Sequence, residues 1–175
     1  MDNCSGHPVV HRLGRRWDQP KVEDPSKPSV RHLSIATTTV VFVQLLLGAA
    51  FRHHGFGIIQ HILVAIFVTI SVLWLLFRVF AEFRNESQLE RPTFLVIGLL
   101  LLQILLGAGS YIVILNGQGA PQPLSPVVAL TTAHVAVGVL LLASSLFLTF
   151  SIYRYVATAS EASAEEISTV KEAQT

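Results

Sequence analysis

Charge is what this chain has least of. Only 13% of its 175 residues are Asp, Glu, Lys or Arg, against roughly 25% in a soluble domain. The few charges are also unevenly placed. Between Leu33 and Phe77 the sole charged residue is Arg52, and between Pro92 and Tyr153 there is none. No acidic residue lies between Asp24 and Glu82, or between Glu90 and Glu161. Such runs exclude a soluble globular domain and read as transmembrane helices. Cysteine is nearly absent too. The lone Cys4 leaves no disulfide framework. Period-two alternation of apolar and polar residues is missing, which argues against a membrane β-barrel. No secretory signal peptide is expected, because the first apolar run begins only near residue 33, after a polar arm. A net charge of +1 gives no basic footprint for nucleic acid.

What remains is hydrocarbon in four blocks: Leu33–Phe51, Ile58–Phe80, Thr93–Leu115 and Val127–Tyr153. Each is long enough to cross roughly 30 Å of bilayer core at 1.5 Å per residue. The expected fold is an all-α integral membrane protein, a four-helix up-down bundle. Residues 1–32 are expected to form a disordered cytoplasmic arm, 33–155 the bundle, and 156–175 a cytoplasmic tail. The Lys and Arg distribution sets the orientation. Six fall in residues 1–32, three in the 78–91 connection, two at the C-terminal end (Arg154 and Lys171), and Arg52 alone in the other two loops. Both termini and the middle connection are therefore expected on the cytoplasmic side, in a bacterial inner (cytoplasmic) membrane.

Within this apolar background one pattern occurs twice. Gln44-Leu-Leu-Leu-Gly48-Ala49 in the first block returns as Gln103-Ile-Leu-Leu-Gly107-Ala108 in the third. Each is followed, inside the next block, by a histidine: His61 and His134. The chain thus reads as two hairpins repeated in the same orientation. Small residues mark close helix contacts in membranes, or clear room for a flat ligand. Ala65, Ala133, Ala136 and Gly138 continue that small-residue theme beside the histidines. The histidines lie about four and seven residues into their spans, roughly 6 and 11 Å below the outer edge. Ionisable residues inside a bilayer are costly and face the interior. One such histidine is ordinarily a hydrogen-bonded packing residue. Two at similar depth, on matching spans, point to a shared ligand.

The ligand type follows from what else is nearby. Zinc would want further Cys, His, Asp or Glu, and only the loop residues His53 and His54 are close in sequence. Haem needs axial ligands, a slot and basic partners for its propionates. His61 and His134 are the candidate axial, iron-ligating pair. Arg52, at the membrane edge, is a candidate propionate partner or a snorkelling interface residue. Gln44 and Gln103 are expected to hold helices together, each hydrogen bond adding roughly 0.6–2 kcal/mol, with contact to the ligand as the alternative.

The stretch Gly48-Ala-Ala-Phe-Arg52-His53, His61, Gln103-x-x-x-Gly107 and Ala133-His134 resembles one half of the haem A synthase family. The resemblance covers about residues 35–155. Family members have two four-helix halves. One holds haem b between paired histidines; the other oxidises a methyl group of haem O to give haem A. The resemblance implies that His61 and His134 ligate haem b iron, with Arg52 and His53 as further cofactor-binding residues. It implies a place in haem A biosynthesis and cytochrome oxidase assembly, with haem O or haem A as substrate or product. A homodimer or a second four-helix half would restore eight spans, and the oxidase assembly machinery is a further expected partner beside lipid. The chain departs from the family in three ways. Ile58 stands where the catalytic half has a glutamate, the loops lack cysteine, and there is one half only. Two other readings stay open: a b-type cytochrome that moves electrons or carries haem without catalysis, and a structural membrane subunit without cofactor.

Overall fold

The computed structural model describes residues 22–24, 26–52, 57–84, 86–117 and 125–157, with single helical positions at 163, 167 and 171; for residue 52 it describes the backbone alone. Four long helices dominate: α1 (Val30–Arg52), α2 (Ile58–Glu82), α3 (Ser87–Asn116) and α4 (Ser125–Tyr155). All four are long and apolar enough to cross a membrane, as the charge-free blocks require. In hydrocarbon every backbone N–H and C=O must be satisfied within the segment, so helix is the state open to these runs. The chain is an all-α integral membrane bundle.

The helices outrun the apolar blocks at most ends. α3 starts at Ser87 rather than Thr93, and α4 at Ser125 rather than Val127. Hydropathy marks where the bilayer ends, whereas helix continues through polar helix formers such as Gln88, Glu90 and Arg91. α3 carries Pro92 through its second turn.

Side-chain contacts fix the direction of the helices. Gln44 of α1 meets His61 at the start of α2, and Arg78 near the end of α2 meets Pro28 just before α1. In α3 and α4, Gly107 faces His134 and Gly109 faces Leu130. Thr149 of α4 bonds Thr38 and the Ser34 carbonyl of α1, while Leu45 approaches Gly138. Each of these pairs is antiparallel. α3 packs most extensively on α4, α1 packs on both α2 and α4, and the α2–α3 contact is the slightest of these four.

The end of the bundle where α1 begins and α4 ends is tied by polar groups. Ser29 caps α1, its hydroxyl accepting the His32 N–H at 3.4 Å. Asp24 accepts the Val30 N–H at 2.6 Å and the Ser26 N–H at 3.3 Å. Arg78 bridges Asp24 at 3.4 Å and Glu82 at 2.8 Å, and donates to the Pro28 carbonyl at 3.0 Å. Arg31 donates to the Val156 and Tyr153 carbonyls and lies over the Tyr153 ring. Two short strands, β1 (Val22–Glu23) and β2 (Val156–Ala157), pair in parallel. Within the arm expected to be disordered through residue 32, residues 22–24 and 26–32 carry β1, the Ser29 cap and the start of α1. Asp24 and Arg78 are 54 residues apart in sequence, and nothing local marks them as partners.

Candidate functional site

Each histidine is delivered by a helix that enters the bundle from the end opposite the polar clasp. His61 lies one turn into α2, and His134 on the third turn of α4. α4 starts further out relative to its histidine, which compensates for the different offsets. The two rings meet across the bundle, with centroids 6.3 Å apart and planes at 77°. Both side chains are half-buried.

The repeated Gln-x-x-x-Gly pattern explains how the rings are seated. Residues four apart share one face of a helix, so each copy presents a glutamine and a glycine together. A Cβ at Gly48 would sit 3.3 Å from His61 Cε1, and one at Gly107 would sit 3.0 Å from His134 Cε1. The glycines are thus notches that admit the imidazoles themselves. The alanines that follow, Ala49 and Ala108, are exposed and take no part. Ala136 is exposed as well, while Gly138 is buried and abuts Gln103 Nε2, where a Cβ would lie at 3.1 Å.

Both glutamines act on the histidines. Gln44 Nε2 donates to the His61 carbonyl at 3.0 Å and lies 3.2 and 3.3 Å from the two ring nitrogens. Gln103 Nε2 lies 3.4 Å from His134 Nε2. They do join helices, but they join them through the rings.

Polar capacity is left over at this place. Gln44 Oε1, Gln103 Oε1 and His134 Nδ1 are buried atoms without a hydrogen-bond partner. Ser110 Oγ, one turn beyond Gly107 on α3, is another. Leaving such a group unsatisfied costs about 1–3 kcal/mol. Several around one pair of rings mark a site suited to a polar or metal-centred guest.

Packing around the site differs from the rest of the bundle. From Gln44, His61, Gln103 and His134 outward, Ser110 alone among the described residues is buried. The buried apolar core, including Val72, Leu76, Val79, Leu100, Leu141 and Leu148, lies on the other side of the histidines.

Arg52 closes α1, but its side chain, and all of His53 and His54, lie outside the described residues. Ile58 is the first residue of α2, one turn before His61. Among the described residues no group of three or more His, Cys, Asp or Glu could hold a metal ion. A metal held here would draw just two ligands from the described part of the chain. No family model, curated protein or solved structure matches the chain.

Proposed function

We propose that this chain is a membrane haem protein that holds one haem b between His61 and His134, and that it acts in haem A formation or cytochrome oxidase assembly. The observation that carries the reading is the histidine pair, facing across the bundle at 6.3 Å, in a half where Ser110 alone among the described residues is buried. A metal–imidazole bond is about 2.0–2.1 Å, which places each ring centre about 3 Å from the metal and two opposed rings about 6 Å apart. The observed separation matches that spacing. The unpartnered His134 Nδ1 and glutamine oxygens nearby suit a polar or metal-centred guest. Two direct packing partners would instead leave the polar atoms orphaned at a cost.

In this reading His61 and His134 hold the iron, and the notches at Gly48 and Gly107 seat their rings. Haem so held supplies one-electron redox chemistry, tuned by its axial ligands and burial. Arg52 and His53 are assigned to the propionates through the likeness of Gly48–His53 to the haem A synthase pattern. The two hairpins are repeats of one Gln-x-x-x-Gly plus His unit, and a second copy or another half completes an eight-span assembly. The Lys and Arg bias places both termini in the cytoplasm, with the histidine half near the outer face.

One observation favours a second reading, a b-type cytochrome without catalysis. Ile58 occupies the place of the expected glutamate, and no Asp or Glu lies between Asp24 and Glu82 or between Glu90 and Glu161. Methyl oxidation needs a group to manage protons near the reacting carbon, and this half offers no carboxylate.

The test is an absorption spectrum of the purified protein, with pigment extraction. A low-spin b-type spectrum, lost in His61→Ala and in His134→Ala, is expected. Wild-type protein without pigment after expression with haem supplied would refute the proposal. Expression with a haem O source, in a host lacking its own haem A synthase, separates the two readings. Unconverted haem O supports holding or electron transfer, whereas haem A establishes catalysis.

A further inference from the structure

We infer that Gln44 and Gln103 are positioning residues of unequal strength, so that His61 is the anchored ring and His134 the ring that turns aside. The two cradles share a sequence pattern but not a geometry. An amide –NH₂ has two hydrogens. Gln44 uses one on the His61 carbonyl at 3.0 Å, which fixes its nitrogen beside the backbone of α2. From there the nitrogen lies nearly equidistant from both ring nitrogens, at 3.2 and 3.3 Å. A point that far from both ring nitrogens lies over the ring rather than along either lone pair, so the amide presses on the His61 ring as well as holding its backbone. One residue grips both the main chain and the side chain of His61.

His134 has no such grip. Its one glutamine contact is 3.4 Å, at the long end of a hydrogen bond. Gln103 Oε1 and His134 Nδ1 are both buried without a partner. Gly138, one turn after His134, leaves space against which the Gln103 amide rests. The matching position after His61 is Ala65, which carries a methyl group. The sequence thus departs from its own repeat at the residue that lets Gln103 lie back. A ring with one long contact and a free nitrogen can rotate out of line, leaving one side of a bound guest open to an incoming small molecule. The last step rests on the proposed haem site; the positioning itself does not.

Two measurements test this. The first uses the metal-free full chain, labelled with ¹⁵N-histidine, in lipid nanodiscs, with signals assigned by single His→Ala variants. His61 is expected to give narrow ring resonances and His134 exchange-broadened ones. One further hydrogen bond corresponds to about a tenfold difference in ring mobility. Gln44→Met, of similar length but without a donor, should bring His61 to the mobility of His134. Gln103→Met should change His134 little. Equal line widths in the wild type, or a His61 signal indifferent to Gln44→Met, would overturn the inference. The second uses haem-loaded protein and carbon monoxide added after reduction. Binding is expected in the wild type and should become faster in Gln44→Met, which loosens the second ring, but not in a variant of Ala49, which is exposed. No binding to the reduced wild type would also overturn it. If the protein retains no haem, the proposed function fails while the resonance measurement still decides the positioning of the rings.

Discussion

The two ends of this bundle are built on different principles. The clasp end is filled: Val72, Val79, Phe83, Leu89, Leu148 and Ile152 are all but inaccessible, and Asp24, Arg78 and Glu82 tie the chain entry to α2. The histidine end has a pair of facing rings, two glutamines and unpartnered polar atoms, but no buried apolar side chain among the described residues. A membrane helix gains little from burying leucine against leucine, since lipid is equally apolar. Close packing and hydrogen bonds must hold the bundle, and they are concentrated at one end. The other end holds the two histidines and the polar atoms around them.

The largest expected effect comes from breaking the clasp. Arg78→Ala leaves Asp24 and Glu82 without their buried cation, and should cost about 3–5 kcal/mol in reversible unfolding from mixed micelles. Were Arg78→Ala no more damaging than His61→Ala, the clasp would not be the stabilising end. Core truncation comes next. Leu148, fully buried, should lose on change to alanine the cavity part of the roughly 2–5 kcal/mol that such changes cost in soluble cores, since the transfer part is absent in lipid. Leu106, half-buried in the histidine half, should lose about 1 kcal/mol or less. Equal losses would mean that both ends are packed alike.

Ligand addition probes the same contrast from the other side. Haem at about 100 times its dissociation constant should stabilise the wild type by about 2.7 kcal/mol, and His61→Ala or His134→Ala should abolish that gain. Stabilisation that survives in both variants would place the guest elsewhere. The smallest effects belong to single methyl groups. A Cβ at Gly98 meets nothing within 4 Å, so Gly98→Ala should stabilise the helix by up to about 1 kcal/mol. Gly107→Ala, where the approach to His134 is 3.0 Å, should disturb its ring more than Gly48→Ala disturbs His61 at 3.3 Å. Histidine resonances in the two variants rank them, and the reverse order would contradict the seating of the rings.

Much of the site was legible before any fold was known. His61 and His134 stand out because a titratable group in a charge-free run is costly, and their repeat placement paired them. The repeated glutamine was visible, but its target was not, because a glutamine one turn before a glycine can face any of several neighbours. Its service to the histidine ring came from the register of α1 on α2 and of α3 on α4. The Gly-Ala pairs were half understood: the glycines seat rings, whereas Ala49 and Ala108 face outward.

By itself the sequence determined that four helices cross a membrane, where each apolar block runs, and which two residues stand out chemically. Those properties follow from local composition, since hydrocarbon admits only internally bonded helix and expels unpaired charge. The tertiary structure decided the rest. It brought rings 73 positions apart in sequence to a centroid distance of 6.3 Å, and set Gln44 against His61 more firmly than Gln103 against His134. It also locked Asp24 to Arg78 and buried no apolar side chain among the described residues of the histidine half. These are matters of helix register and rotation, which small-residue contacts and hydrogen bonds set in a membrane, and which no periodic pattern along one helix can encode.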